Sequence, residues 1–166
     1  YRTEHADTYN GKFTFASTEN TLSGGTDAAV VAPGYLVNKP WFEYDEQSGL
    51  YKRYQYKAAH VDGGNNEQLA FKNIIFQVCD YKMEPDGKYL DVKTASYGGT
   101  GKYITDGKAE DITWTKEVED GIATYYGPDG NVLEINPGKT CICIILNDAT
   151  DKIGIYGSKE DFEAAK

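Results

Sequence analysis

Turn signals cut this sequence at short intervals, and that punctuation constrains the fold more than any other feature. "DEQSG" (45–49), "DGGNN" (62–66), "EPDGK" (84–88), Asp106-Gly107, Pro128-Asp129-Gly130 and Pro137-Gly138 each supply residues that preset φ or tolerate a positive one. The runs between them are rich in Tyr, Ile, Val and Trp. "KPWFEYDEQSGLYKRYQY" reads as a hairpin around a loop ending in Gly49. "AFKNIIFQVCDYKM" (70–83) reads as one long strand, and "YLDVKTASY" (89–97) as a half-buried one with alternating polarity. "GGTG" (98–101) is expected to break the chain as a bulge or hairpin corner. Asp106-Gly107 marks a second tight hairpin. "ATYYGPDGNVLEINPGKTCICIIL" then gives three strands, and "KIGIYG" (152–157) a last one.

One segment departs from this pattern. "SKEDFEAAK" (158–166) opens with Ser158 and has Asp161 three residues on, the start signal of a helix. The expected fold is therefore mainly β (β-rich α+β), an antiparallel meander with a short carboxy-terminal helix. Residues 1–38 are polar and irregular, with only "AAVVAPGYLV" (28–37) suggesting a strand interrupted at Pro33-Gly34. They are expected to form an amino-terminal arm, with the β-rich domain spanning 39–166.

Composition excludes some functions. The 166 residues suffice for one core without staples. A net charge of −9 argues against nucleic acid, whose binding needs clustered Lys and Arg, and against adhesion to an anionic membrane. Fourteen tyrosines suit half-buried strands, with the ring on the core and the hydroxyl at water. No run approaches the roughly 20 apolar residues of a membrane helix. The chain starts at Tyr1 rather than Met, so a processed or trimmed chain is expected.

Three cysteines, Cys79, Cys141 and Cys143, cannot all pair within one chain. Cys141 and Cys143 stand two apart on a strand, so both point to one face. Buried free thiols, a bridge from Cys79 to either, and a soft metal are the open arrangements. A structural zinc site would need four ligands, so no metal is assigned. No cofactor is assigned either.

The most promising polar stretch is "HVDGGNNEQLAFKN". His60 and Asp62 lie two apart and Asn73 follows, so a base, its orienting carboxylate and an amide donor are in reach of one another in sequence. His60, Asp62 and Asn73 are the candidate polar site. Calcium on Asp62, Asn65 and Glu67 does not match the EF-hand spacing. A Cys79–His60 nucleophile would need an exposed thiol. "GGTGK" lacks the spacing of a phosphate loop, and no hydrolase elbow or zinc-protease motif occurs. No carboxylate pair for glycoside hydrolysis can be nominated from sequence. Trp41 or Trp114 with exposed tyrosines could form a sugar platform, or simply pack across strands.

The ordered motifs "WFEYDEQSGLYKRY", "HVD", "QLAFKNIIFQ", "GKYITDGKAEDITW" and "YYGPDGNVLEINPGKT" resemble the carboxy-terminal domain of the YerB-type lipoproteins over residues 39–146. These are Gram-positive envelope proteins without an established function. The resemblance implies a secreted protein held to the outer face of the cytoplasmic membrane by a lipidated cysteine upstream of Tyr1. It brings no catalytic residue. Two departures stand out: Cys141 where that family usually has tryptophan, and the stretch after Leu146. The expected function is a non-catalytic binding or scaffolding module for cell-wall polymer or another envelope protein. The alternative is a wall-modifying hydrolase using His60 and Asp62.

Overall fold

The computed structural model describes residues 13–94, 97–117 and 121–165. In chain order the strands are β1 (Thr26–Asp27), β2 (Val30–Ala32), β3 (Trp41–Asp45), β4 (Leu50–Gln55), β5 (Ala58–Ala59), β6 (Ala70–Phe71), β7 (Asn73–Cys79), β8 (Tyr81–Met83), β9 (Leu90–Val92), β10 (Tyr97–Thr105), β11 (Lys108–Lys116), β12 (Thr124–Tyr126), β13 (Thr140–Leu146) and β14 (Gly154–Tyr156). A 3-10 turn, Asn147–Lys152, precedes β14, and α1 (Lys159–Ala164) follows it. The fold is mainly β with a short carboxy-terminal helix, as the turn spacing predicts.

Strand β7 sits inside the larger sheet, whose order is β1-β11-β10-β7-β13, with β12 also on β11. The second sheet runs β14-β2-β3-β4-β5, with β6 also on β4. Pairing is antiparallel except between β7 and β13, which run parallel in the register Ile74↔Cys141 and Phe76↔Cys143. A parallel neighbour needs a crossover, so the larger sheet is not a simple meander.

Both faces of β7 are covered, which explains its consecutive apolar residues Ile74, Ile75 and Phe76. Ile74 and Phe76 face the second sheet and pack with Ala28, Val31, Phe42, Tyr51, Cys143 and Ile145. Ile75 and Cys79 face the other way, into a core with Leu22, Tyr103, Trp114, Tyr125 and Ile135. That outer core is roofed by the segments around residues 13–22 and 123–136, with Val92 of the small two-stranded β8-β9 sheet also packed against it.

Residues 13–38 are not a separate arm. β2 lies between β3 and β14, β1 pairs with β11, and Ala28, Val30 and Val31 are fully buried. The short apolar run is enough to place β2 inside the second sheet, while the polar pair Thr26–Asp27 just before it forms β1 on the larger one. Residues 1–12 of the expected arm lie outside the described residues.

The long strand expected over 70–83 is three pieces, β6, β7 and β8. "NVLEI" makes only isolated bridges, Tyr126↔Val132 and Phe15↔Ile135, because it serves as roof rather than sheet. The larger correction concerns "GGTG". These residues do not break the chain but run through β10. Trp114 on β11 reaches across β10 at Gly99, and its indole N–H donates to the Val78 carbonyl on β7 at 2.9 Å. A Cβ at Gly99 would meet that same carbonyl at 2.6 Å. Glycine therefore opens a slot for the indole inside a regular strand.

Candidate functional site

The predicted polar trio does not assemble into one site. Asn73 is fully buried on the outer-core face of β7. Its amide donates to the Asn136 carbonyl at 2.8 Å and to Thr140 Oγ1 at 3.1 Å, and its Oδ1 accepts from the Tyr103 hydroxyl at 2.8 Å. The network continues through Asn136, whose amide donates to the Asn20 carbonyl and to Thr105 Oγ1. Every polar group of the Asn73 side chain is thereby engaged, and the knot ties β7, β10 and the "INPGK" segment together. The motifs that carry the family resemblance build this knot, of which sequence reading named only Asn73, as part of the candidate polar site.

Asp62 lies in an exposed loop. Its Oδ1 accepts from the Gly64 N–H at 2.7 Å, and its backbone closes the same loop through Glu67 and Asn66. That is the behaviour of aspartate in a turn. His60 is tied by its backbone to Arg53 and Leu69, and its Nδ1 is buried without a hydrogen-bond partner. No hydrogen bond links His60, Asp62 and Asn73.

An open groove of about 410 Å³ runs beside Asp62, lined by Glu67, Gln68, Lys72, Pro137 and Lys139 among others. Lys72 is already ion-paired with Glu19. Trp114 belongs to the core, and Trp41 stacks on Tyr54 across β3 and β4 with ring centroids 5.0 Å apart. Trp41 also packs against Phe162 of α1, so cross-strand and helix packing account for it.

Cys79 faces the outer core whereas Cys143 packs in the core between the sheets, with Cys141 beside it. A bridge from Cys79 to either is thus excluded by the pleat, and all three cysteines are free. Burial pushes the Cys79 thiol up, which removes it as a nucleophile.

Sequence reading missed a surface at one end of the second sheet. Leu36 and Val37 are 69% and 84% exposed, and Tyr56 beside them is 66% exposed. The Tyr56 N–H donates to the Asn38 carbonyl at 2.9 Å, which holds the two loops together. Tyr56 and Lys57 form the two-residue turn between β4 and β5 with φ of 51° and 63°, and Lys39 has φ 41°. Turns with two positive φ are ordinarily Asn-Gly or Asp-Gly. Here non-glycine residues adopt them, at a cost of about 1–3 kcal/mol each. The missing Gly or Asn is why the turn was invisible in the sequence.

Among the described residues no helix is long and apolar enough to cross a membrane. No curated protein matches the chain. In fold the chain is similar to the crystal structure of YerB protein from Bacillus subtilis, with a TM-score of 0.70 and 22% identity. The match covers 87% of this chain and 46% of that one, so the chain spans less than half of that protein's length. A family model described as "Protein of unknown function (DUF3048) C-terminal domain" matches residues 30–142. With two thirds of its length under that model and the fold of its structural neighbour, the chain belongs to the family of DUF3048 carboxy-terminal domains.

Proposed function

We propose that this chain is a non-catalytic binding or scaffolding module of an extracytoplasmic lipoprotein, engaging another envelope protein through the Leu36–Val37–Tyr56 tip. The observation that carries the reading is the coincidence of exposed apolar side chains with strained backbone at one tip. Exposed apolar residues held beside each other suit a protein contact, and strain of this kind gathers at binding elements. The sheet beneath keeps the tip rigid, so little ordering cost falls on association. Attachment through a lipidated cysteine upstream, at the outer face of a Gram-positive cytoplasmic membrane, belongs to the same proposal. A cell-wall polymer in the polar groove beside Asp62 is the second partner class, supported by the mixed charges there. The hydrolase alternative draws less support, because Asn73 is engaged in the buried knot and Asp62 in its own loop.

Site-specific photo-crosslinking in cells tests this. A photoreactive residue at Val37 is expected to give a discrete protein adduct that Tyr56→Asp abolishes. The same residue at Asp86, an exposed turn position elsewhere, should give none. Equal labelling at the two positions, or adducts indifferent to Tyr56→Asp, would sink the proposal.

A further inference from the structure

The inter-sheet core contains a pair of thiols that packing alone does not explain. Cys141 and Cys143 share one face of β13, with their sulfurs 4.0 Å apart. Cys143 is buried and Cys141 is partly exposed at the edge of the same core. Arg53 of β4 lies on the same inward side as Tyr51, with its guanidinium over the Phe42 ring at 5.7 Å. Its Nε is buried with no hydrogen-bond partner. Its positive charge reaches both thiols. The Tyr35 hydroxyl donates to the backbone carbonyl of Ile144, next to Cys143 in the chain, at 2.7 Å.

Two sulfurs in this arrangement are preorganised for a soft cation. Two thiolates hold an ion of this class close to linearly, so with metal–sulfur bonds of about 2.3 Å the sulfurs part from 4.0 Å to about 4.6 Å on binding, a shift that rotation of the two side chains supplies without movement of the strand. Thiolate ligands select soft ions such as Cu(I). Zinc would need four ligands, and among the described residues no group of three His, Cys, Asp or Glu comes together. Charge narrows the choice further. Two thiolates and a monovalent ion carry one net negative charge, which the Arg53 guanidinium balances. A divalent ion would leave the buried site positive.

We propose that Cys141 and Cys143 form a two-thiolate site for a monovalent thiophilic cation of the Cu(I) class, with Arg53 as its counter-charge. Binding breaks two S–H bonds, releases both protons to solvent and forms two metal–sulfur bonds, with no electron transferred.

The test is an anaerobic titration of the reduced chain with Cu(I) against a chromophoric Cu(I) chelator, with native mass spectrometry for stoichiometry. One Cu(I) per chain is expected, unchanged in Cys79→Ser. Cys141→Ser should weaken binding by more than about 100-fold, and Arg53→Gln by about 10-fold, the scale of losing a partner outside the ligand set. A wild-type chain that leaves all Cu(I) with the chelator overturns the proposal, as does Cys141→Ser binding like wild type. A second measurement on the unaltered chain guards against a variant that fails to fold. Prior Cu(I) loading should protect Cys141 from iodoacetamide, read by peptide mapping, and the absence of protection overturns the proposal equally.

Discussion

At the scale of single residues, Asn73 and Asp62 show what a sequence can and cannot say about polar side chains. Both read as site candidates because both are chemically competent and close in sequence. The outcome turns on burial. Asn73 has register partners Thr105 and Thr140 on either side, so its amide faces groups that must find partners away from water. Asp62 sits among turn formers and satisfies a neighbouring N–H. Asn73→Ala should therefore strand the Tyr103 hydroxyl and the Asn136 carbonyl and cost about 3 kcal/mol of stability. Asp62→Ala should stay within about 0.5 kcal/mol, as exposed substitutions do. Urea unfolding midpoints measure both, and equal midpoints for the two variants would contradict this account. The knot's other members, Tyr103 and Asn136, had no local signal, because their partners lie some thirty or more residues away.

At the scale of elements, local chemistry was legible wherever the turn residues fixed the geometry. Asp106-Gly107 forms the two-residue turn it announced, with φ of 50° and 73° and Thr105 paired to Lys108. Ser158 accepts the Asp161 N–H at 3.1 Å and caps α1, as the spacing predicted. Glycines misled where their role was room rather than turning. A Cβ at Gly101 would sit 2.3 Å from the Phe76 carbonyl oxygen, a backbone atom that cannot swing away. Gly101→Ala is expected to cost at least about 1–3 kcal/mol through overpacking. Gly63→Ala, which meets nothing within 4 Å, should be close to neutral. Thermal midpoints separate the two, and a neutral Gly101→Ala would show that β7 and β10 are looser than described. The parallel β7–β13 pair was illegible for a related reason. Strand periodicity reports which face is buried, not which neighbour covers it.

At the scale of the whole molecule, the tyrosine content becomes a property of the fold. Tyr51, Tyr103 and Tyr125 are buried, with hydroxyls bonded to Ala28, Asn73 and Gln77 respectively. Burial raises all three phenols above their ordinary value of 10.0, Tyr103 to about 12. Above pH 10 the unfolded chain has lost protons that these phenols still hold. Their contribution is thus complete below pH 10 and is lost as pH rises through the folded values, by about 1.4 kcal/mol per pH unit for each phenol. Absorbance at 295 nm followed with circular dichroism should show exposed tyrosines ionising first, with the fold intact. The buried three should follow at higher pH, together with loss of strand signal. A single smooth titration of all tyrosines near pH 10 in a folded chain would refute it.

The parallel pairing of β7 with β13 also sets a timetable. During synthesis from the amino terminus, β7 meets β10 early but must wait for residues 140–146 before its second edge is covered. β2 waits longer still, for β14 at residues 154–156. Neither sheet can be completed on a half-made chain, and distant pairing carries its loop-closure cost before any contact rewards it. The two sheets therefore close only after the carboxy-terminal strands have been made. A fragment ending before residue 140 would expose two unprotected sheet edges and is expected to aggregate rather than fold.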